Sequence, residues 1–126
     1  MKASLYHLEL NVSDFELSAK FYKELLAYFD YKIIFENDSL LGLTNDSTDF
    51  WIVRTPPEHL SKSFHRKGPG LNHIAFRVFS NLDVDAFTNE FLKFRNTTPL
   101  YNSPHLFPEY TESYYAVSFE DPISLS

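Results

Sequence analysis

The sequence contains no cysteine, which excludes disulfide bonds, thiolate metal sites and a cysteine nucleophile. It has no apolar run near the roughly 20 residues that a membrane-spanning helix needs. No cluster of Lys or Arg is present, and the net charge of −6 disfavours nucleic acid and anionic membranes as partners. P-loop, dinucleotide-binding and Gly-x-Ser-x-Gly motifs are also missing. We therefore expect a soluble cytoplasmic protein.

The composition is that of a folded domain. The chain has 126 residues, of which 44% are hydrophobic and 22% are charged, so it is long enough for one domain with its own core. It carries 13 Phe, 8 Tyr and 1 Trp. These are more rings than a small core needs, and some are expected to line a cavity.

An internal repeat organises the chain. A shift of 66 positions aligns two stretches without a gap and places His7 on His73 and Glu24 on Glu90. In both copies a strand of alternating polarity precedes a helical segment. The elements predicted for the first half are a strand at 4–12, a helix at 14–29 behind a Ser13–Glu16 capping box, and strands at 31–35, 40–43 and 49–53. Those of the second half are a strand at 71–79, a helix from Leu82 to about Arg95, a strand at 98–102, a loop at 103–112 and a strand at 114–119. Ser80 or Asn81 is predicted to cap this helix. Its apolar stripe is formed by Val84, Phe87, Phe91 and Phe94.

Each half is interpreted as a βαβββ module of one α+β domain spanning residues 1–126. Module one covers about 1–55, a linker about 56–69 and module two about 70–126, in a pseudo-twofold arrangement. Alternation places His7 on the strand face opposite Leu8, and His73 on the face opposite Ile74. Because the helices cover the apolar faces, we expect the histidine faces of two curled mixed sheets to enclose a central cavity.

Several short motifs resemble a known superfamily. They are His7-Leu-Glu-Leu-Asn-Val-Ser-Asp with Phe21-Tyr22, Asp49-Phe50-Trp51-Ile52, His73-Ile-Ala-Phe-Arg-Val, Tyr114-Tyr115-Ala116 and Asp121-Pro122. In this order and spacing they resemble vicinal oxygen chelate proteins, which include glyoxalase I, fosfomycin- and bleomycin-resistance proteins and extradiol dioxygenases. The sequence is similar to a poorly characterised bacterial branch of that superfamily.

The resemblance implies a divalent metal held in the cavity, without distinguishing Zn, Ni, Fe or Mn. The metal ligands of active relatives are a His on the first strand, a carboxylate on the fourth, a His on the fifth and a Glu on the last. His7 and His73 match the two histidines. The fourth-strand position falls at or near Trp51, whose indole N–H cannot coordinate a metal, and no Glu follows Asp121-Pro122.

Three interpretations of the function remain open. The first is an isomerase, lyase or dioxygenase that uses a metal at His7 and His73 as a Lewis acid, with Glu9 as third ligand or catalytic base. The second is a metal-free binding protein that sequesters a small molecule and retains a degenerate metal site. The third is a degenerate or truncated member of the superfamily that has no activity. A homodimer is also expected.

Four further residues are candidates for substrate binding, each with a structural alternative. Trp51 is predicted to form a pocket wall rather than ordinary core. Arg77 would bind a substrate carboxylate or phosphate, or else form an ion pair, with Glu9 as one partner. His105 would be a mobile substrate contact in its loop, and Tyr115 would offer a hydroxyl at the cavity mouth rather than only a core ring.

Overall fold

The computed structural model describes residues 1–61, 67–108 and 114–122. The chain forms a mixed α+β fold and divides into two compact units, Met1–His65 and Arg66–Ser126. No helix in the described ranges is long and apolar enough to cross a membrane.

The first unit has the order strand, helix and three strands that its sequence predicts. Its elements are β1 (His7–Val12), α1 (Phe15–Tyr28), β2 (Lys32–Glu36), β3 (Leu40–Thr44) and β4 (Asp49–Arg54), followed by a 3₁₀ turn at Pro57–His59. The largest difference from the prediction is the start of the first strand, which begins at His7 rather than at residue 4.

The start of α1 corrects one predicted detail. Asp14, not Ser13, is the N-cap, and its carboxylate accepts a hydrogen bond of 3.1 Å from the backbone N–H of Leu17. An Asp caps a helix as well as a Ser does, and Asp14 stands one residue nearer to the first turn. Glu16 is therefore not part of a capping box, and its carboxylate is directed to Arg54 instead.

The four strands of the first unit form one sheet in the order β1-β4-β3-β2. β1 and β4 are parallel, whereas β3 is antiparallel to both of its neighbours. The register places Leu8 beside Phe50 and Leu10 beside Ile52. These apolar side chains share the face that packs against α1, where the rings of Tyr22 and Phe50 stack with centroids 5.4 Å apart. The other face of this sheet carries His7, Glu9 and Trp51.

An arginine ties three parts of the first unit together. The Arg54 guanidinium donates to both carboxylate oxygens of Glu16 on α1 and to the backbone carbonyl of Asp38 before β3. It also lies over the Phe15 ring, 5.0 Å from the ring centroid. The Arg54 hydrogen bond lowers the pKa of Glu16 below its usual 4.5.

This ion pair predicts a pH dependence of stability. A carboxylate whose pKa is lower in the folded state stabilises the protein above its unfolded pKa, and that contribution is lost as the pH falls through the folded value. Chemical unfolding should therefore show wild type more stable than Glu16→Gln at neutral pH. This difference in unfolding free energy should disappear as the pH falls below 4.5. Glu58→Gln, which removes an exposed carboxylate in the 3₁₀ turn, controls for the change in net charge. If the stability difference between wild type and Glu16→Gln persisted in acid, the Glu16–Arg54 ion pair would not be its cause.

The second unit differs more from its prediction. Its described elements are α2 (Asn81–Phe87), a π-helical turn at Thr88–Leu92, β5 (Leu100–Leu106) and β6 (Tyr115–Ser118), and β5 pairs antiparallel with β6. Ser80 caps α2, as predicted, and accepts from the backbone N–H of Asp83. The predicted loop at 103–112 is wrong in its first part, because β5 continues through Leu106. The position expected for a final strand, after Asp121-Pro122, lies outside the described residues.

The strand predicted at 71–79 is not assigned as one. Ile74, Phe76 and Val78 are half-buried while His73 and Arg77 are exposed, so the two-sided pattern is present. However, no strand among the described residues pairs with this segment. Alternation reports which side chains share a face, whereas a strand also requires a hydrogen-bonded neighbour.

The apolar stripe of the second helix also shifts. Val84, Phe87 and Phe91 are buried as predicted, but Phe94 is 86% exposed and Leu92 is fully buried. The backbone N–H of Lys93 bonds to the carbonyl of Thr88, five residues earlier. Such a π-helical turn adds a residue and rotates the following side chains around the helix axis.

Candidate functional site

The sheet face of the first unit that lies opposite α1 is the candidate site, and we call it the open face. It brings together three sequence-predicted residues, His7, Glu9 and Trp51. His7 and Glu9 are exposed on β1, and Trp51 is half-buried on β4. Strand alternation places these three side chains on the same face because Trp51 stands beside Glu9 in the parallel register.

Trp51 lies at the centre of a row that crosses all four strands. The residues in register are Glu9, Trp51, Gly42 and Phe35. The six-membered ring of the indole occupies the space above Gly42, since a Cβ built there would stand 2.3 Å from Trp51 Cζ3. The Phe35 ring lies beyond, with its centroid 6.4 Å from that of Trp51. Glycine at this position therefore lets the indole lie close to the sheet.

A second row adds polar groups next to the indole. Asp49 is in register with His7 on one side and with Thr44 on the other. The His7 ring contacts Tyr6 edge-on, with centroids 5.2 Å apart. β1 and β4 thus give the open face two carboxylates, Glu9 and Asp49, and one imidazole, and the row ends on β2 at Lys32, which is in register with Thr44.

These donors do not make up a complete metal centre. In residues 1–61, 67–108 and 114–122, no three side chains of His, Asp or Glu are grouped so that they could hold a metal ion. Catalytic zinc sites usually have three protein ligands, and non-haem iron sites require a carboxylate beside two histidines. The described residues therefore do not fit the ligand set that the resemblance implies, and we derive no chemical step through a metal.

The remaining predicted residues lie in the second unit. His73 and Arg77 are exposed on the segment 71–79, and His73 Nδ1 lies 2.9 Å from Asn72 Oδ1. His105 and Tyr115 lie on the adjacent strands β5 and β6, where Leu106 pairs with Tyr115. Their roles in substrate binding stay predictions.

His105 is held in place rather than placed on a loop. Its Nδ1 lies 2.6 Å from the Leu106 carbonyl oxygen and its Nε2 lies 3.1 Å from that of Tyr101. The Phe107 ring packs against it, with centroids 3.9 Å apart. Both ring nitrogens already face backbone carbonyl oxygens, so a substrate that bound to His105 would have to displace one of these two contacts.

The Tyr115 hydroxyl links β6 to α2. It donates a 2.6 Å hydrogen bond to Asp85 Oδ1, and this bond together with burial raises the pKa of Tyr115 above its usual 10.0. Sequence reasoning missed Asp85, because its spacing from Tyr115 gives no local signal. It also missed Gly42, although a glycine inside an apolar strand is a sign of close approach by another group.

The Tyr115 hydrogen bond predicts an alkaline dependence of stability. A tyrosine with a raised folded pKa stabilises the protein below its unfolded pKa, and this contribution is lost as the pH rises through the folded value. The stability gap between wild type and Tyr115→Phe should be constant up to about pH 10 and should shrink above it. Tyr101→Phe, at a 62% exposed ring, is the matched control. A stability difference that widened at high pH would show that the hydroxyl does not donate to Asp85.

Comparisons with known proteins agree with the fold. The model of the Glyoxalase/Bleomycin resistance protein/Dioxygenase superfamily matches residues 4–122. The uncharacterized protein YqjT of Bacillus subtilis (strain 168) is 36% identical over 118 residues, covering 94% of this chain and 91% of that protein. A crystal structure of "a putative glyoxalase" from Bacillus halodurans is 34% identical, with a TM-score of 0.85 over 96% of this chain and 90% of that one.

A more distant structure shares the fold alone. Lactoylglutathione lyase from Agrobacterium tumefaciens is 14% identical, with a TM-score of 0.69 over 98% of this chain and 90% of that one. The superfamily model covers nearly all of the chain, and YqjT and the Bacillus halodurans protein are each more than 30% identical over most of their length. The chain therefore belongs to the Glyoxalase/Bleomycin resistance protein/Dioxygenase superfamily.

Proposed function

We propose that the protein binds a small aromatic molecule on the open face, with the indole of Trp51 as the stacking surface. The observation that carries the proposal is the row in which Trp51 lies above Gly42 between Phe35 and Glu9. Aromatic rings stack on an indole with about 0.5–1.5 kcal/mol beyond the area that they bury. Superfamily membership supports a role in binding or converting small molecules.

The charges of the open face specify the ligand further. Glu9 and Asp49 supply two carboxylates on the two strands nearest to the indole, whereas the cation of this face, Lys32 of β2, is 69% exposed at the outer edge and lies 3.8 Å from Asp46. Beside Glu9 and Asp49 a ligand anion would be repelled, whereas an ammonium group or hydroxyl would be attracted or would donate a hydrogen bond. We therefore propose a neutral or cationic hydroxylated aromatic ligand. Glu9, in register with Trp51, would accept a hydrogen bond or a proton from it.

The single tryptophan makes this proposal directly testable. Hydroxylated aromatic amines should quench Trp51 fluorescence in a saturable way and raise the melting temperature. The matching aromatic carboxylic acids should bind roughly fivefold more weakly for each carboxylate that they approach, since one carboxylate contributes about 1 kcal/mol at close range in water. Glu9→Gln should reduce the difference in affinity between the amines and the acids. Equal binding of amines and acids, or no saturable quenching by either, would overturn the proposal.

A metal-dependent isomerase, lyase or dioxygenase is the second candidate. The register of His7 beside Asp49 favours it, because an imidazole and a carboxylate are both common ligands of divalent metals. His73 stays the predicted second histidine ligand. Metal content after purification without a His tag would test this candidate. Stoichiometric metal that both His7→Ala and His73→Ala remove would support it, whereas metal retained by both variants would reject this ligand pair.

A further inference from the structure

The open face carries opposite charges at its two sides. Glu9 and Asp49 lie on β1 and β4, whereas Lys32 lies on β2 at the edge of the sheet. Lys32 belongs to this face because it is in register with Thr44, which is in turn in register with Asp49. The indole ring of Trp51 lies over β3, between the two sides. The face is therefore polarised across its strands, with the aromatic surface in the middle.

The distance between the opposite charges follows from the spacing of the strands. Adjacent strands lie about 4.8 Å apart, so the backbone of Lys32 on β2 is roughly 10 Å from that of Asp49 on β4. One strand, β3, lies between them. A benzene ring with a short chain at each end spans a similar length. An aromatic ligand that stacks on the indole therefore has one end near the carboxylates and the other near the lysine.

The ion pair that Lys32 forms within the chain is weak enough to be exchanged. Lys32 Nζ lies 3.8 Å from Asp46 Oδ1, and the two side chains are 69% and 79% exposed. Exposed pairs of this kind contribute little to stability. The turn holds Asp46 in place, because the Thr44 hydroxyl accepts a 3.0 Å hydrogen bond from the backbone N–H of Asp46. Asp46 is therefore the group with which a ligand carboxylate competes for Lys32.

We infer that the ligand of the open face is an elongated aromatic zwitterion, with an ammonium group beside Glu9 and Asp49 and a carboxylate at Lys32. This inference rests on the proposed aromatic site at Trp51 and adds the position of an acid group on the ligand. A carboxylate next to the ammonium group would be repelled by Glu9 and Asp49, whereas a carboxylate at the far end of the ring would be attracted to Lys32. Lys32 therefore selects ligands by the position of their acid group.

Three aromatic amines that differ in their acid group test the inference. In para-aminomethyl-phenylpropanoic acid the ammonium and the carboxylate are at opposite ends of the ring, its methyl ester has no carboxylate, and phenylalanine has both charges at one end. In titrations of Trp51 fluorescence at low ionic strength, the first compound should bind roughly threefold more tightly than its ester, because it gains one exposed ion pair. Phenylalanine should bind more weakly than the ester.

The ester separates failure of this inference from failure of the proposed site. If the ester quenches Trp51 in a saturable way and the acid binds no more tightly, the inference is overturned and the aromatic site stands. If none of the three compounds gives saturable quenching, the aromatic site is rejected and the inference with it.

Two pairs of variants assign the effect to Lys32. Lys32→Gln should remove the advantage of the acid over its ester, whereas Lys20→Gln, at an exposed position on α1, should preserve it. Asp46→Asn should raise the affinity for the acid roughly twofold, because an exposed competing carboxylate is lost. Asparagine also tolerates the positive φ of 72° at this position. Asp38→Asn makes the same change in net charge at an exposed turn position and should not raise the affinity.

The outcomes that would overturn the role of Lys32 are equally specific. One is an advantage of the acid over its ester that survives Lys32→Gln. The other is an equal gain in affinity from Asp46→Asn and Asp38→Asn, which would reflect net charge rather than release of Lys32. Circular dichroism should show that all four variants are folded, since each substitution is at an exposed position.

Discussion

Gly42→Ala should destabilise the protein and abolish the ligand response of Trp51. The new Cβ would lie 2.3–2.6 Å from three atoms of the indole ring, so the ring must leave its position above the sheet. Overpacking of this kind costs about 1–3 kcal/mol. Alanine by itself is favoured over glycine inside a strand by about 0.5–1 kcal/mol. The expected net result in chemical unfolding is therefore a loss of stability, together with the loss of saturable fluorescence quenching.

A double-mutant cycle isolates the cause. In a Trp51→Ala background the indole is absent, so Gly42→Ala should be neutral or stabilising rather than destabilising. Residues in contact commonly couple by about 0.5–3 kcal/mol, and this cycle should show coupling in that range. Equal effects of Gly42→Ala with and without Trp51 would mean that the indole does not lie above Gly42.

Ile52→Ala should have the largest effect on folding stability. Ile52 is fully buried on β4, the strand that pairs with both β1 and β3. Truncating a buried isoleucine to alanine costs about 2–5 kcal/mol, because the lost burial is joined by the cost of a cavity. Thermal and urea unfolding should both report this loss.

The position of Ile52 beside Trp51 makes it informative about the site. The two residues are adjacent in sequence but point to opposite faces of the sheet, so Ile52→Ala should weaken the fold without touching the ligand. Well below its melting temperature the variant should still bind an aromatic amine with wild-type affinity. Val53→Ala, at a half-buried position on the open face, should cost much less stability. If Ile52→Ala and Val53→Ala lowered the unfolding free energy by similar amounts, the face of the sheet that carries Ile52 would not be the core face.

The first unit could be predicted from sequence because its signals are local. Alternation at His7–Val12, helical spacing in Phe15–Tyr28 and turn residues between the later strands each specify one element. The second unit depends more on pairing and on helix irregularity. The segment at 71–79 alternates although none of the described strands is assigned as its neighbour, and a π-helical turn moves Phe94 away from the core. Neither strand pairing nor a π-helical turn produces a periodic signal in the sequence.

The candidate site was predictable only in part for a related reason. Alternation predicts that His7 and Glu9 share one face of a strand, and the resemblance points to the position of Trp51. The contribution of Gly42 and Phe35 depends on the register of β4 with β3 and of β3 with β2. Register is set by turns and packing across the whole sheet, and a one-residue shift would move every side chain to the other face. Likewise, the bond from Tyr115 to Asp85 depends on tertiary packing alone.

The most direct test of the account is the nuclear magnetic resonance signal of the Trp51 indole N–H during titration with a hydroxylated aromatic amine. The chain has one tryptophan, so this resonance reports the open face and no other place. We expect a saturable shift of the resonance and magnetisation transfer between the ligand ring and the indole, both lost in Gly42→Ala. A ligand that raises the melting temperature of the protein while the Trp51 resonance stays unchanged would contradict it.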